Sequence, residues 1–290
     1  MKLVRFGEHH NERPGVWLDN TPVPGQASIM DVRAMAFDIE DYNAHFFATH
    51  GLDRLRALLH ESHLKLIPAA GIRLGPPIAR PGKIVCLGKN YAAHAAEFDA
   101  EVPTTPIFFS KATTALNGPF DPIVLPRDAQ HVDGEAELAV VIGRTTRRVT
   151  EADAPNMIAG YTILNDVTDR DAQRDGKQWF RGKSADTFGP LGPFLVTRDE
   201  ISDPHHLRIT QRVNSQTLQD DSTSQMIFKI PYLISFLSAT ITLEPGDVIA
   251  TGTPAGIGSA RTPPVLLRAG DIVEIAVENL GAQRSPVVAA

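Results

Sequence analysis

The sequence predicts a mainly β protein of the α+β class, built as two domains. Short strand-like segments recur along the chain, and they do not alternate with helical segments in the order of a doubly wound sheet. The densest Pro and Gly cluster of the first half, GPPIARPG at 75–82, is typical of a linker. We therefore expect a small N-terminal domain over 1–77 and a larger domain over 78–290.

The N-terminal domain is predicted to be a small α/β unit. KLVRF and VWL have the composition of strands. The leucines of residues 52–59 fall on one face of a helix, which would close the unit. His9 and His10 are adjacent and cannot share a helix or strand face, so we interpret them as surface residues rather than ligands.

Composition and charge favour a small molecule as the partner of this protein. The 290 residues have a formal net charge of -6 and no basic block, which argues against nucleic acid or an anionic membrane surface. The single Cys86 excludes an internal disulfide, and it lies in a buried strand pattern, KIVCLG. The first residues lack the apolar core of a signal peptide, and no apolar run has membrane-spanning length. A cytoplasmic protein is therefore expected.

The larger domain opens with KIVCLG and continues into GKNYAAHAAEF, an alanine-rich segment that predicts a short helix. His94 and Glu97 are three positions apart, so they are neighbours on one helical face and can form a hydrogen bond. Such a pair can serve as a general base and the carboxylate that orients it. On spacing alone, however, a solvated surface pair is the favoured interpretation.

The segment HVDGEAELAVVIG, residues 131–143, places two carboxylates at the start of an apolar run. LAVVI has the length and β-branched content of a strand buried on both faces. Because side chains alternate along a strand, Glu135 and Glu137 point the same way. Two such carboxylates repel each other and lose hydration, which a bound cation offsets. The pair therefore predicts a metal site.

A second strand, YTIL, ends in a group of polar residues. Asn165 and Asp166 follow it directly, and the charged segment TDRD comes next. Polar residues at the end of a strand are typical of binding sites, and an ordinary acidic loop is the alternative. Lys183 lies farther along, among small residues that allow close approach of a ligand, and a plain surface lysine is equally compatible with that pattern.

Glu135, Glu137 and Asp166 together offer three hard oxygen ligands. With no cysteine nearby, this set suits Mg²⁺, Mn²⁺ or Ca²⁺ better than Zn²⁺ or copper. Three protein ligands leave open positions for a substrate that chelates through adjacent oxygens, such as a 2-oxo carboxylate. In that arrangement His94, oriented by Glu97, would be the base that activates water.

The rest of the chain supplies strands, one helix and a Gly-rich loop. LRITQRVN and AGDIVEIAVENLG are strand patterns, and a helix begins near Pro231, whose fixed φ suits a first helical turn. The loop GTPAGIG has glycines at 252, 256 and 258, which match neither GxGxxG nor the P-loop pattern, and no helical pattern follows it. We therefore reject a nucleotide site there.

Six segments in order resemble the fumarylacetoacetate hydrolase family. They cover the chain from Lys83 to the C-terminal strand and are GKNYAAHAAE, GEAELAVVIG, GYTILNDVTDRDAQ, QWFRGKSADTFGPLGPFLV, MIFKIPYLISFLS and LEPGDVIATGTPAGIG. The resemblance implies a mixed β-roll with flanking helices, placed after a small N-terminal domain. It also implies a homodimer.

The resemblance assigns a role to each candidate residue, carried over position by position. It implies three metal ligands for Mg²⁺ or Mn²⁺, a catalytic dyad with a lysine that stabilises an anionic intermediate, and a set of residues that line the substrate pocket. In that order, these are Glu135, Glu137 and Asp166; His94, Glu97 and Lys183; and Arg170, Asp171, Gln173 and Thr253.

Members of the resembled family hydrolyse acylpyruvates, decarboxylate oxaloacetate, or isomerise and decarboxylate dienedioates. MKLVRFG, KSADTFGPLGP and PPVLLRAGD are most similar to the branch that cleaves 2,4-diketo-3-deoxy sugar acids, often labelled ureidoglycolate lyase. Ala93, where relatives often carry Asp, and the segment TDRDAQ depart from the common pattern. The segment TDRDAQ includes Arg170 and its neighbours, which are expected to contact the substrate, so the departures bear on which substrate is bound.

The expected function is a metal-dependent hydrolase that splits a carbon-carbon bond of a 2,4-diketo acid into pyruvate and a carboxylic acid. An intact His and Glu pair favours this reaction because it supports activation of water. The alternative is an oxaloacetate decarboxylase or a 2-hydroxyhepta-2,4-dienedioate isomerase or decarboxylase on the same metal site. A third possibility is a non-catalytic relative that only binds a ligand.

Overall fold

The computed structural model describes residues 1–19, 26–97, 101–175 and 177–290. Strands predominate over helices in these ranges, which confirms the mainly β, α+β prediction. The strands are, in chain order, β1 (Lys2–Phe6), β2 (Arg13–Leu18), β3 (Ser28–Asp31), β4 (Leu66–Pro68), β5 (Leu74–Gly75), β6 (Ile84–Gly88), β7 (Ile107–Lys111), β8 (Leu116–Asn117), β9 (Ile123–Leu125), β10 (Val132–Asp133), β11 (Ala136–Ile142), β12 (Ile158–Asn165), β13 (Thr168–Asp169), β14 (Gly189–Pro190), β15 (Leu195–Thr197), β16 (Arg208–Val213), β17 (Gln216–Ser222), β18 (Val248–Ala250), β19 (Ile272–Val277) and β20 (Gly281–Ala289).

The helices of the described ranges are short. They are α1 (Val32–Met35), α2 (Ala44–Ala48), α3 (Gly51–Leu58), α4 (Ala92–Ala96), α5 (Arg170–Arg174), α6 (Phe180–Lys183) and α7 (Ile230–Ser238). The predicted leucine helix is α3, the alanine-rich helix is α4, and Pro231 stands in the first turn of α7. Within the described ranges, no helix combines the length and the apolar character that crossing a membrane requires.

An eleven-stranded sheet has the order β4-β3-β2-β1-β15-β12-β11-β18-β6-β7, with β5 beside β1. β11 lies between two antiparallel neighbours, β12 and β18, and β18 runs parallel to β6. The pairing of β1 with β15 makes the N-terminal strands part of the same sheet as the larger domain. The boundary between 77 and 78 stays a prediction.

Alternate residues of β11 face two different hydrophobic cores. Leu138 and Val140 pack in a core shared with a five-stranded sheet of order β17-β16-β19-β20-β9. Ala139 and Val141 pack in a second core that includes Phe47 and other residues of the N-terminal segment. Burying each large aliphatic side chain stabilises the fold by about 1.5–3 kcal/mol. β11 is therefore buried on both faces, as its apolar run predicts.

Strand directions bring several loop segments to one edge of the large sheet. Because β11 is antiparallel to β12 and β18, its first residues lie beside the last residues of those strands, and Ala136 pairs with Asn165. β6 is parallel to β18, so it ends at the same edge. The segments after β6, β12 and β18 carry His94, Asp166 and Thr253, and all three segments meet the start of β11.

Candidate metal and catalytic site

Three buried carboxylates meet at the start of β11. One oxygen from each of Glu135, Glu137 and Asp166 lies within 4.8 Å of the others, and each residue is at most 5% exposed. Glu137 is the second residue of β11 and Glu135 directly precedes the strand, so strand alternation points both the same way. Asp166 joins them because it follows β12, the antiparallel neighbour of β11. These three residues are called the carboxylate triad below.

Two buried lysines bind the carboxylate triad. Lys183 Nζ donates to Glu135 Oε2 at 2.9 Å and to Asp166 Oδ2 at 2.6 Å. Lys111 Nζ, at the end of β7, donates to the other oxygen of Asp166 at 2.6 Å and to Val167 O at 3.1 Å. Both lysines are at most 3% exposed, so these charge-assisted bonds are shielded from water. They fix the orientation of the Asp166 carboxylate.

Arg170 connects the triad to α5. Its guanidinium donates to Glu135 Oε1 and to Asp133 Oδ1, both at 2.6 Å, and a third N–H donates to Gln173 Oε1 at 3.2 Å. Asp169 caps α5 by accepting from two backbone N–H groups, which fixes where the helix begins. The arginine expected to contact substrate therefore also orients one member of the triad.

The surroundings of Glu135 and Glu137 shift the pKa values of these two carboxyl groups in opposite directions. Burial raises the pKa of Glu137 well above its ordinary value, and the charges of Asp166 and Glu135 raise it further. Burial also opposes ionisation of Glu135, but Lys183 and Arg170 outweigh it and hold the pKa of that carboxyl below its ordinary value. A divalent cation would offset the repulsion and the lost hydration that disfavour the ionised form of Glu137.

The donor set fits Mg²⁺ or Mn²⁺. All its candidate ligand atoms are carboxylate oxygens, the donors that hard divalent cations prefer. Cys86 contributes no thiolate, because burial raises the pKa of its thiol well above the ordinary value. Glu137 Oε2 accepts the N–H of Gly252 at 2.9 Å, which fixes that carboxylate before any ion binds.

His94 and Glu97 form a hydrogen-bonded pair at the end of α4. His94 Nδ1 lies 2.8 Å from Glu97 Oε2, and the other oxygen of Glu97 accepts the N–H of Gly256 at 2.6 Å. A carboxylate at Nδ1 favours the tautomer with the proton on that nitrogen, which leaves Nε2 as the basic nitrogen. His94 is 7% exposed, so the surface pair that spacing alone favoured is not what the fold forms.

The Gly-rich loop after β18 supports both the triad and the His94–Glu97 pair. Its Gly252 N–H binds Glu137, and its Gly256 N–H binds Glu97. Both glycines have positive φ, +91° and +103°, where an L side chain is strained, and a Cβ at Gly256 would overlap a backbone oxygen of β17. The loop that fails to match a nucleotide motif therefore holds two carboxylates of this site.

A cavity of about 540 Å³ is lined by His94, by two carboxylates of the triad and by their cationic partners Arg170 and Lys183. Its volume suits a small organic acid. Phe109 and Trp179, with ring centroids 5.2 Å apart, form part of its apolar wall. The predicted site residues that line it are His94, Glu135, Glu137, Arg170, Gln173, Lys183 and Thr253.

Glu97 and Asp166 are not lining residues themselves, although they bond to the lining residues His94 and Lys183, respectively. Asp171 also lies outside this lining. Its carboxylate is half exposed, 2.7 Å from His131 Nδ1. Its predicted contact with substrate stays a prediction. Thr253 does line the cavity, and its hydroxyl donates to Ala136 O at 2.9 Å while accepting from Gln219 Nε2 at 2.8 Å. These bonds hold the threonine beside the start of β11.

Sequence reasoning missed Lys111 and Asp133. Lys111 ends the strand pattern PIFFSK as a single cation, with no second ionisable residue at a spacing that would draw attention to it. Asp133 stands two residues before Glu135, and the alternation argument that grouped Glu135 with Glu137 could have drawn attention to it. It accepts from Arg170 and from the N–H of Ser259, at 2.6 and 2.7 Å.

Comparison with known proteins identifies the family. The sequence model described as Fumarylacetoacetate (FAA) hydrolase C-terminal matches residues 83–288, well over half of the chain. The chain belongs to the fumarylacetoacetate hydrolase family. Membership confirms the resemblance of the six segments, and it makes the protein an enzyme.

Relatives in the fumarylacetoacetate hydrolase family differ in the activity that they are named for. Oxaloacetate tautomerase FAHD2A, mitochondrial, from Bos taurus is 43% identical over 294 residues, which are 99% of this chain and 92% of the relative. The 2,4-didehydro-3-deoxy-L-rhamnonate hydrolase of Sphingomonas sp. (strain SKA58) is 41% identical over 289 residues, which are 99% and 96% of the two chains. Both relatives therefore match nearly the whole protein.

A solved structure of the same family contains a metal ion. Maleylpyruvate hydrolase from Sphingobium sp. SYK-6, in complex with manganese (II) ion and pyruvate, superposes with a TM-score of 0.80 and 34% identity. The match covers 100% of both chains. The fold of this protein is thus shared, over its full length, with a hydrolase that binds a divalent cation.

Proposed function

We propose that this protein is a Mg²⁺- or Mn²⁺-dependent hydrolase that cleaves a 2,4-diketo acid into pyruvate and a second carboxylic acid. The observation that carries the proposal is a cavity lined by His94, Glu135 and Glu137. Asp166 completes the carboxylate triad behind this lining, and Glu97 bonds to the imidazole of His94. The names of the Sphingomonas and Sphingobium relatives, both hydrolases, support it.

Glu135, Glu137 and Asp166 would hold the divalent cation, which when bound supplies Lewis acidity toward the 2-oxo carboxylate end of the substrate. His94 performs the proton transfer. Its Nε2 takes a proton from water, and the resulting hydroxide adds to the C4 carbonyl of the diketo acid. Glu97 keeps the ring in place and stabilises the imidazolium that forms, because its carboxylate faces Nδ1 at 2.8 Å.

Collapse of the adduct breaks the C3–C4 bond. The electron pair moves to C3 as the pyruvate enolate, and His94 returns its proton to C3, so that one water is consumed for each pyruvate and each carboxylic acid released. Lys183 lines the cavity with a charged ammonium, since Asp166 and Glu135 outweigh burial and raise its pKa. Two of its three N–H groups donate to these carboxylates. The third N–H donates to the enolate oxygen.

A second candidate is an oxaloacetate tautomerase, which the 43% identity to the bovine relative favours. That reaction moves a proton between carbon and oxygen of oxaloacetate and needs no attack by water. His94 would then act on C3 of the substrate directly. Oxaloacetate decarboxylation and dienedioate isomerisation are related alternatives on the same triad. The homodimer and the cytoplasmic location stay predictions, and the bovine relative is named as mitochondrial.

The deciding experiment supplies the purified protein and Mg²⁺ or Mn²⁺ with acylpyruvates, 2,4-diketo-3-deoxy sugar acids and oxaloacetate. Hydrolysis gives one pyruvate and one new carboxylic acid for each diketo acid consumed, measured by coupled pyruvate reduction and by NMR. A tautomerase instead changes the enol absorbance of oxaloacetate without releasing pyruvate, and a decarboxylase releases pyruvate and CO₂ from it. No pyruvate from any diketo acid would overturn the proposal.

A further inference from the structure

The outer part of the cavity carries three positively charged side chains that have no role so far. Lys89, Arg174 and Lys177 line it. Within the described part of the chain, none of the three forms a salt bridge with a carboxylate. Arg174 makes one bond, from Nε to Arg170 O at 3.1 Å, which uses a backbone oxygen and leaves its charge uncompensated.

Exposure places these three side chains at the mouth of the cavity. Lys183 and Arg170, which touch the triad, are 2% and 6% exposed. Arg174 and Lys177 are exposed and Lys89 is half-buried. Arg174 follows Arg170 by one turn of α5, about 6 Å farther along the helix axis. The α5 helix therefore presents one cation to the triad and the next toward the mouth.

Two separate elements supply this charge. Arg174 and Lys177 come from the end of α5 and the residues after it, whereas Lys89 directly follows β6 and has a left-handed φ of 57°. Among the described residues, the carboxylates in the lining are Glu135 and Glu137, both in the triad. The mouth is therefore locally cationic in a protein whose formal net charge is -6.

We propose that Lys89, Arg174 and Lys177 form a subsite for a second carboxylate, so that the preferred substrates are dianionic 2-oxo acids. The inference rests on the proposed function, because it takes the triad as the anchor for the 2-oxo acid end. A substrate held there extends its other end to the mouth. Uncompensated cations attract an anion at that end and bind it through charge-assisted hydrogen bonds. A neutral polyhydroxy tail gains neither effect, so diketo diacids or oxaloacetate are preferred over diketo sugar acids.

Binding of matched pairs of unreactive acids tests the subsite without turnover. The probes are 2-oxoglutarate against 2-oxopentanoate, and 2-oxoadipate against 2-oxohexanoate, titrated calorimetrically into protein with saturating Mn²⁺. Each pair differs only in the terminal carboxylate, and the two lengths allow for the reach to the mouth. We expect at least one diacid to bind about tenfold more tightly than its partner, the size of about one charge-assisted hydrogen bond.

The triple variant Lys89→Gln, Arg174→Gln, Lys177→Gln should bring each pair within threefold and leave the Kd of the monoacids unchanged. The control triple variant Arg33→Gln, Arg127→Gln, Arg268→Gln removes the same charge from exposed positions outside the cavity lining and should keep the preference. Circular dichroism and the Mn²⁺ affinity check that both variants fold.

Three results would overturn the subsite: equal binding of each wild-type pair, equal weakening of diacid and monoacid in the cavity variant, or the same loss in the control variant. Failure to bind any of the four acids overturns the 2-oxo acid site and the subsite with it. Failure to release pyruvate from a diketo acid, with the diacid preference intact, overturns the hydrolase assignment alone.

Discussion

Two histidine–carboxylate pairs in this protein have the same spacing and nearly the same geometry. His94 and Glu97 are three residues apart and bonded at 2.8 Å, and Asp203 and His206 are three residues apart and bonded at 2.6 Å. Their surroundings differ. The side chain of His94 is 8% exposed and stands in the cavity, whereas that of His206 is 72% exposed.

The difference shows that a hydrogen-bonded pair becomes a candidate base through what lies around it. An exposed ion pair is worth about 0–1 kcal/mol and changes little when it is lost. Glu97 has a second partner, the N–H of Gly256, and His94 lines the same cavity as Glu135 and Glu137 of the triad. Spacing alone predicted a surface pair, which describes Asp203 and His206 and does not describe His94 and Glu97.

The largest expected effect on kcat comes from removing His94, and removal of His206 is the comparison. His94→Ala should lower kcat on a diketo acid by roughly 10² to 10⁴-fold, the usual contribution of a general base. His206→Ala should leave kcat within twofold. Steady-state kinetics of both variants, with Mn²⁺ at saturation, makes the measurement.

A loss of less than tenfold in His94→Ala would remove water activation by this residue and favour a reaction without hydrolysis. Equal losses in both variants would show that the two pairs do not differ in function. The metal affinity of His94→Ala should match the wild type, because its imidazole is not one of the three oxygen ligands.

The next largest effect concerns the carboxylate triad beside His94, and it is measured as a change in melting temperature when a cation binds. At 100 times its Kd, a bound cation adds about 2.7 kcal/mol to the free energy of unfolding. We expect Mg²⁺ or Mn²⁺ to raise the melting temperature of the wild type and of His94→Ala. Glu137→Gln should remove that rise while folding normally, since burial already favours the neutral form of this side chain. A rise that survives in Glu137→Gln would place the cation elsewhere.

The sequence allowed good prediction of elements and poor prediction of their pairing. The apolar run 138–142 identified β11 as a doubly buried strand, because burial on both faces leaves a continuous apolar pattern. Nothing local indicates that Lys2 pairs with Val196, since that register depends on packing between segments far apart in the chain. The continuity of the large sheet from the N-terminal strands into the larger domain could therefore not be read from the sequence.

In the site too, relations within one strand could be predicted from the sequence, whereas contacts between distant segments could not. Alternation placed Glu135 and Glu137 together, because two residues on one strand have a fixed relation. Lys111 comes from β7, which lies three strands from β11 in the sheet order, and its contact with Asp166 depends on that order. Single cations at strand ends have no spacing pattern, so only the fold reveals them.

Replacing the carboxylates of the two pairs should give a smaller difference in kcat than replacing the histidines. Glu97→Gln keeps the size of the side chain and weakens its bond to the imidazolium, which is worth about 1.5–3 kcal/mol or roughly 10 to 150-fold in kcat. Asp203→Asn should change kcat by less than twofold. The Kd of an unreactive 2-oxo acid should stay unchanged in both variants, which separates catalysis from binding. A raised Kd with normal kcat in Glu97→Gln would make this residue part of the binding surface instead.

A third histidine beside the exposed pair gives the smallest effect, on stability alone. His205 Nε2 accepts the N–H of Ile230, the first residue of α7, at 3.1 Å, which only a neutral ring can do. Burial lowers the pKa of His205, Lys229 and His206 lower it further, and Asp203 opposes them. The folded state therefore binds this proton less readily than the unfolded chain, whose imidazole pKa is about 6.5.

By linkage, the contribution of His205 is fully present above pH 6.5 and is lost as the pH falls below that value. Urea unfolding between pH 7.5 and 5.5 should show a decline to which the lost hydrogen bond contributes about 0.5–1.5 kcal/mol. His205→Gln should flatten that part of the decline, whereas His206→Ala should retain it, since His206 donates to Asp203 and caps no helix. An unchanged slope in His205→Gln would assign the decline to other groups. Of two adjacent histidines beside the same aspartate, only the one that accepts a backbone N–H then links pH to the stability of α7.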